Sequence, residues 1–245
     1  MLLFIVRDYR LSFTKCTSMH KHKVDYLDRF KKTNILVVST TGDEFFFPDN
    51  TYVYWENLVA ATDGTILHRR IPNIGHSILA IGDTVLSTLR GFFLSTYYKA
   101  FIVPKLTWTR PNNSTHGIIR ATVTMMPSIL KPFKVQCWYA KSLDFKRDFR
   151  QTVLSPSGTL TLNPIKWMST QENIIITQKG DQLIYTISFE RSKKSWLGFF
   201  MEFSFQGLQR SVNVVTTEVN IVPEFYPHED CTRSNCYGIL KLKIR

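Results

Sequence analysis

The sequence predicts an α/β part with a mostly parallel sheet, followed by an all-β part folded as an antiparallel β-sandwich. In residues 1–104, apolar runs alternate with longer amphipathic stretches, which is typical of βαβ units. In residues 105–245, short β-rich runs are separated by Pro, Gly, Asn and Ser, and no long stretch has helical periodicity. We therefore place a domain boundary near residue 104.

Strands and helices alternate in the predicted α/β part. Residues 35–38 form a continuous apolar run, as in a strand covered on both faces, and residues 65–71 form another strand. Apolar residues at helical spacing predict helices at the positions 24–30, 54–59 and 77–98.

The apolar residues 1–6 are too few for a signal peptide or a membrane span, and they predict a strand. We therefore expect the α/β part to be truncated, its beginning lying outside this chain. Residues 35–38 should then expose an edge that missing strands would cover.

Seven β-rich runs are predicted in the second part. They are residues 117–126, 133–139, 159–162, 173–177, 183–189, 196–205 and 211–218.

Charge and cysteine content restrict the possible partners. The net charge is +12, but the basic residues form small scattered groups such as Arg69-Arg70, without a nucleic-acid-binding motif. We therefore expect no nucleic-acid partner.

The cysteine spacing does not suit zinc, so no metal or cofactor is predicted. Cys231 and Cys236 flank a polar turn and form a disulfide if the compartment is oxidising; the alternative is two free thiols.

Two polar residues follow the predicted strands of the first part. Asp43 comes after the run at residues 35–38, and His76 lies between the second strand and the last helix. Because the carboxyl ends of parallel strands meet at one sheet edge, the two loops should lie side by side. In a nucleophilic triad an acid orients the imidazole, which takes the proton of the nucleophile. The sequence predicts Asp43 as the acid and His76 as the base, in the chain order of α/β-hydrolases.

Each site residue has a structural alternative. An Asp after a strand is most often a turn or helix-capping residue, and a His beside Gly is most often a plain loop residue. Asp49 is a second candidate acid, although an N-cap position suits it better. The chain has no G-x-S-x-G elbow, and Ser77 directly follows His76 and cannot face it as the nucleophile. We therefore expect no hydrolase activity from this chain alone.

Five segments together resemble the family of PhoPQ-activated pathogenicity-related proteins. They are GDEFFFPD at residues 42–49, YW at 54–55, PNIGHS at 72–77, WYA at 138–140 and DFR at 148–150. The resemblance spans most of residues 20–150. It implies an α/β-hydrolase-like domain followed by a β-rich domain, with Asp43 and His76 at the acid and base positions. It also implies an extracellular location, since members are often secreted.

Two functions follow from this reading. In the first, the chain is a fragment of a serine-hydrolase-like protein whose complete form cleaves a small ester or amide through an acyl-enzyme. In the second, it is a secreted binding or signalling protein whose β-sandwich recognises an unidentified protein partner. Asp148 and Arg150 are expected to form a surface ion pair in a turn.

Overall fold

The computed structural model describes residues 2–7, 10–15, 27, 30, 31, 33–62, 66–77, 81–98, 105–125, 131–143, 146–155 and 157–224, which are predominantly β-structure. The elements in these ranges are β1 (Leu2–Arg7), β2 (Arg10–Lys15), β3 (Asn34–Thr40), α1 (Trp55–Ala61), β4 (Ile66–Ile71), α2 (Gly82–Tyr98), β5 (Lys105–Thr109), β6 (His116–Thr124), β7 (Lys134–Lys141), β8 (Thr152–Leu154), β9 (Leu160–Leu162), β10 (Met168–Thr170), β11 (Ile175–Lys179), β12 (Gln182–Glu190), β13 (Leu197–Gln206), β14 (Val212–Thr216) and β15 (Asn220–Val222).

The first sheet contains four strands in the order β2-β1-β3-β4. β3 and β4 are parallel, with α1 between them in the chain, and they form a βαβ unit. β1 is antiparallel to both β2 and β3. The sheet is therefore mixed, and the predicted parallel sheet is not confirmed beyond the β3–β4 pair.

β3 lies in the interior of this sheet. Ile35 and Val37 pack on one face against Trp55 and Leu58 of α1, while Leu36 and Val38 pack on the other face against β4 and α2. The prediction of a strand covered on both faces is confirmed. The expectation of an exposed edge at residues 35–38 is wrong, because β1 pairs with one side of β3 and β4 with the other.

Two antiparallel sheets make up most of the second part. One has the order β10-β7-β13-β14, with β15 also paired to β13, and the other has the order β11-β12-β6-β5. Their facing side chains form one core, to which β13 contributes Phe199, Met201 and Phe203. Phe200 points away from this core and packs with Phe149 and Trp167. β13 is apolar on both faces because both are covered, and the predicted β-rich second part is confirmed.

β4 joins the two parts through buried polar groups. Its Arg69 forms an ion pair with Glu202 of β13, and the backbone N–H of Arg70 donates to Oγ1 of Thr216 in β14 at 3.1 Å. Arg69 and Arg70 are therefore buried strand residues and not part of a scattered surface charge. The division into domains at residue 104 stays a prediction.

Candidate functional site

Asp43 organises the loop that follows β3. Its side chain is buried, and Oδ1 accepts the backbone N–H groups of Phe45 at 2.9 Å and Phe46 at 3.1 Å. An Asp that accepts N–H groups two and three residues ahead closes a local turn, which explains why an Asp suits this position. The same turn directs both phenyl rings toward His76.

Backbone and hydroxyl groups hold the Asp43 loop against the loop that follows β4. The four contacts are Thr41 N to Ile71 O at 3.0 Å, Gly42 N to Ile74 O at 2.9 Å, Asn73 N to Thr41 Oγ1 at 2.9 Å and Thr40 Oγ1 to Gly75 O at 2.9 Å. The two loops therefore lie side by side at the carboxyl ends of the parallel strands, where the sequence predicted them.

Asp43 and His76 are in direct contact. Nδ1 of His76 lies 3.0 Å from Oδ1 and 3.2 Å from Oδ2 of Asp43. The carboxylate is 3% exposed and the imidazole 32% exposed. Phe45 meets the imidazole edge-on at 4.8 Å between ring centroids, and Phe46 stacks on it at 6.1 Å. Nε2 has no hydrogen-bond partner among the described residues. A buried carboxylate thus orients a partly exposed imidazole.

Two glycines allow a segment of the second part to approach these loops. A Cβ at Gly42 would lie 2.9 Å from Cβ of Gln151 and 3.0 Å from the backbone oxygen of Ile74. A Cβ at Gly75 would lie 2.8 Å from Oε1 of both Gln151 and Glu44. The backbone N–H of Gln151 donates to the carbonyl of Gly42 at 2.8 Å. Glycine is therefore required here for close approach.

Glu44 and Asn73 support the site and were not singled out from the sequence. Oε2 of Glu44 accepts the backbone N–H of His76 at 2.8 Å, and its Oε1 accepts the hydroxyl of Thr152. Asn73 has a positive φ of 60°, which Asn tolerates better than most residues. Its side chain pairs with the backbone of Trp167, donating to the carbonyl at 2.9 Å and accepting the N–H at 2.7 Å. The run Pro72-Asn73 was the available signal, since Asn is frequent in turns.

Asp49 is not part of the contact between Asp43 and His76. Asp49 forms an ion pair with Arg147. It occupies the predicted N-cap position, at the start of the 3-10 helix Asn50–Val53, although its side chain makes no capping hydrogen bond. Asp148 contacts Nε of Arg150 at 2.9 Å and Nη2 at 2.5 Å, which confirms that ion pair. Burial raises the pKa of Asp148, but the hydrogen bonds from Arg150 outweigh it and lower the pKa below its usual value.

The described residues form no further candidate site through metal ligands, cysteines or membrane-spanning helices. The described part of the chain contains no cluster of three or more His, Cys, Asp or Glu side chains placed to hold a metal. Cys137 is a buried free thiol, and burial raises its pKa. Cys16 and the predicted Cys231–Cys236 disulfide lie outside the described residues. None of the described helices has the length and apolar character needed to cross a bilayer.

Comparisons with known proteins confirm the resemblance seen in the sequence. The family model described as PhoPQ-activated pathogenicity-related protein matches residues 12–150, more than half of the chain and a range that contains both loops. Autocrine proliferation repressor protein A of Dictyostelium discoideum is 29% identical over 226 residues, which cover 87% of this chain and 42% of that protein. The chain therefore spans less than half the length of this relative. By the extent of the family match, the chain belongs to the PhoPQ-activated pathogenicity-related protein family.

Proposed function

We propose that this chain supplies the acid and the base of a serine-hydrolase-like site, with Asp43 as the acid and His76 as the base. The observation that carries the proposal is the 3.0 Å contact between Nδ1 of His76 and Oδ1 of the buried Asp43. In hydrolases that use a nucleophilic triad, the acid holds the imidazole in one tautomer and steadies the imidazolium that forms.

In this proposal Nε2 of His76 is the nitrogen that acts as the base. Because a carboxylate can only accept hydrogen bonds, we assign Nδ1 of His76 as the donor in this contact. A neutral imidazole with its proton on Nδ1 has its lone pair on Nε2, and this nitrogen takes the proton of a nucleophile. The 32% exposure of the ring supports access of a reacting group to Nε2.

The nucleophile is the part of the site that this chain does not provide. The sequence contains no G-x-S-x-G, and no hydroxyl or thiol of the described residues hydrogen-bonds to Nε2 of His76. We therefore assign hydrolysis of an ester or amide to a protein in which a serine elbow accompanies this chain, and no acyl-enzyme to the chain alone.

The fold assignment is part of the same proposal. We assign β3, α1, β4 and α2 to an α/β-hydrolase-like domain in residues 1–104, and the remaining strands to a β-sandwich domain in residues 105–245. The parallel β3–β4 pair with a helix between the strands supports the first assignment. The two facing antiparallel sheets support the second.

The tautomer of His76 tests the acid–base assignment. Nitrogen-15 NMR of the imidazole near neutral pH should show the proton on Nδ1, and Asp43→Asn should abolish this preference. Asp49→Asn is the matched control, since it removes a buried carboxylate that pairs with Arg147 and leaves the tautomer unchanged. A proton on Nε2 in the wild-type protein, or no effect of Asp43→Asn, would overturn the assignment.

A fluorophosphonate probe tests the absence of a nucleophile. We expect the purified chain to show no labelled serine above the level of a heat-denatured sample. Labelling of one serine that disappears in His76→Gln would show that the chain is a complete hydrolase by itself.

A second candidate function is that of a secreted binding or signalling protein. The β8–β9 hairpin exposes Leu154 by 69%, Leu160 by 71% and Leu162 by 75%, which suits contact with a protein partner. One relative is named as an autocrine proliferation repressor. The chain should then occur in the culture medium of cells that express it, and the added protein should slow their division. A variant with all three leucines changed to Ser should have no effect on division if the hairpin is the contact surface.

A further inference from the structure

A cavity between α1 and β5, here called the indole cavity, lies apart from the pair of Asp43 and His76. Its volume is about 540 Å³, within the range of small-molecule sites in proteins. Its wall is mainly apolar, with Val59, Ile66 and Leu106 beside the indoles of Trp55 and Trp108. Lys105 and Thr107 of β5 line it as exposed residues.

The two indoles are held in a fixed arrangement. Trp55 and Trp108 stack with their ring centroids 5.3 Å apart and an angle of 28° between the rings. His68 also contacts Trp55 in an edge-to-face arrangement, with 5.5 Å between the ring centroids. Two fixed indoles in the wall of one cavity offer the aromatic surface with the strongest attraction for cations.

Glu218 brings a negative charge to the same cavity. It lies between β14 and β15 and is 6% exposed. Its Oε2 accepts the indole N–H of Trp108 at 3.1 Å, whereas its buried Oε1 has no hydrogen-bond partner among the described residues. A buried carboxylate oxygen without a hydrogen-bond donor costs free energy, so this position favours a cationic donor nearby.

Glu218 shares the positive charge of Arg70 with two other carboxylates. The buried guanidinium of Arg70 is close enough to attract Glu218, but it also attracts Asp43 and Asp49. The charged residues of the cavity wall itself are Glu56, Glu218 and Lys105, so the wall carries a net charge of −1 in a chain with a net charge of +12. This local reversal of sign is complementary to a cationic ligand and unfavourable for an anion.

We propose that the indole cavity binds a small organic cation of the alkylammonium class, with the indoles of Trp55 and Trp108 against the alkylated nitrogen and Glu218 as the countercharge. Quaternary and alkylated amines are recognised in proteins by this combination of aromatic rings and a carboxylate. The site contains neither Asp43 nor His76, so it does not depend on the proposed hydrolase role.

Choline and its neutral isostere 3,3-dimethylbutan-1-ol test whether the charge is recognised. We expect choline to change the tryptophan fluorescence saturably. The alcohol should bind at least about tenfold more weakly, a difference in binding free energy of about 1.4 kcal/mol. Equal binding of the two compounds would show a purely apolar cavity and overturn the proposal. Absence of saturable choline binding would overturn it as well.

Variants identify the cavity as the binding site. Glu218→Gln should weaken choline binding about tenfold. Glu172→Gln, at an exposed turn residue that does not line the cavity, should leave it unchanged. Thr107→Lys adds a positive charge at the cavity without altering a buried group, and it should also weaken binding. Thr109→Lys is its matched control on the same exposed side of β5, outside the cavity. Unchanged choline binding in Thr107→Lys would overturn the proposal even if Glu218→Gln failed to fold.

Discussion

His68 should make the protein less stable in mild acid. This residue of β4 is 1% exposed, with Nε2 3.0 Å from the hydroxyl of Ser39 and Nδ1 3.1 Å from that of Thr216. Burial lowers the pKa of His68 well below its usual value, and the charges of Arg70 and Arg69 lower it further. The folded protein therefore keeps this imidazole neutral at a pH where the unfolded chain protonates it.

The sign and the size of the effect follow from proton linkage. Above the unfolded pKa of about 6.5, both states are neutral at this position and the stability is complete. As the pH falls from there toward the lower pKa of the folded state, the unfolded chain binds a proton that the folded protein does not. The free energy of unfolding then decreases by up to about 1.4 kcal/mol for each pH unit. Between about pH 7.5 and about pH 5.5, His68 should contribute a loss of roughly 1.4 kcal/mol.

Urea unfolding followed by tryptophan fluorescence at these two pH values measures the loss. His68→Gln removes the titrating group and keeps an amide that can reach both hydroxyls. The free energy of unfolding of this variant should therefore decrease less than that of wild type between the two pH values, by about 1.4 kcal/mol. His116→Gln on β6 leaves His68 in place and should retain the wild-type pH dependence. An equal loss in His68→Gln and wild type would refute the argument, because other groups would then cause the pH dependence.

Two further predictions concern close packing and thiol reactivity. Gly42→Ala should lower the free energy of unfolding by about 1–3 kcal/mol, since its Cβ meets the backbone oxygen of Ile74, whereas Gly82→Ala, with open space at its Cβ, should be neutral or stabilising. Equal losses in the two variants, measured by urea unfolding, would contradict this reasoning. Cys137 should resist iodoacetamide in the native protein, because burial raises its pKa, and react only after denaturation. Peptide mapping that finds rapid native labelling of Cys137 would show a local opening of the β7 region.

Sequence patterns were sufficient where structure depends on neighbouring residues. β3 was predicted from its continuous apolar run, and α1 from apolar residues at helical spacing. The longer strands β6, β7, β12 and β13 were predicted as β-rich runs separated by turn residues. The three-residue strands β8 and β10 were not predicted, whereas β9, which has the same length, was included in a predicted run. The position of β1 antiparallel to β3 depends on pairing partners that no local pattern specifies.

β4 shows why partner residues distant in sequence matter more than local polarity. Its residues His68, Arg69 and Arg70 are polar, yet all three are buried. Their partners Thr216 and Glu202 lie more than 130 positions later in the chain. A buried polar side chain is tolerated where such partners exist, and only the folded structure shows that they do.

The second part of the chain also holds the Asp43 and His76 loops in place. The backbone N–H of Gln151 donates to the carbonyl of Gly42, and the hydroxyl of Thr152 donates to Glu44. The backbone N–H and C=O of Trp167 both hydrogen-bond to the side chain of Asn73. The sequence indicated Asp43 and His76 because each follows a strand, but it contained no sign that residues near 150 and 167 position them. Since Glu44 also accepts the backbone N–H of His76, two hydrogen bonds connect Thr152 to the backbone of His76. The geometry of the pair therefore depends on the β-rich part being folded against it.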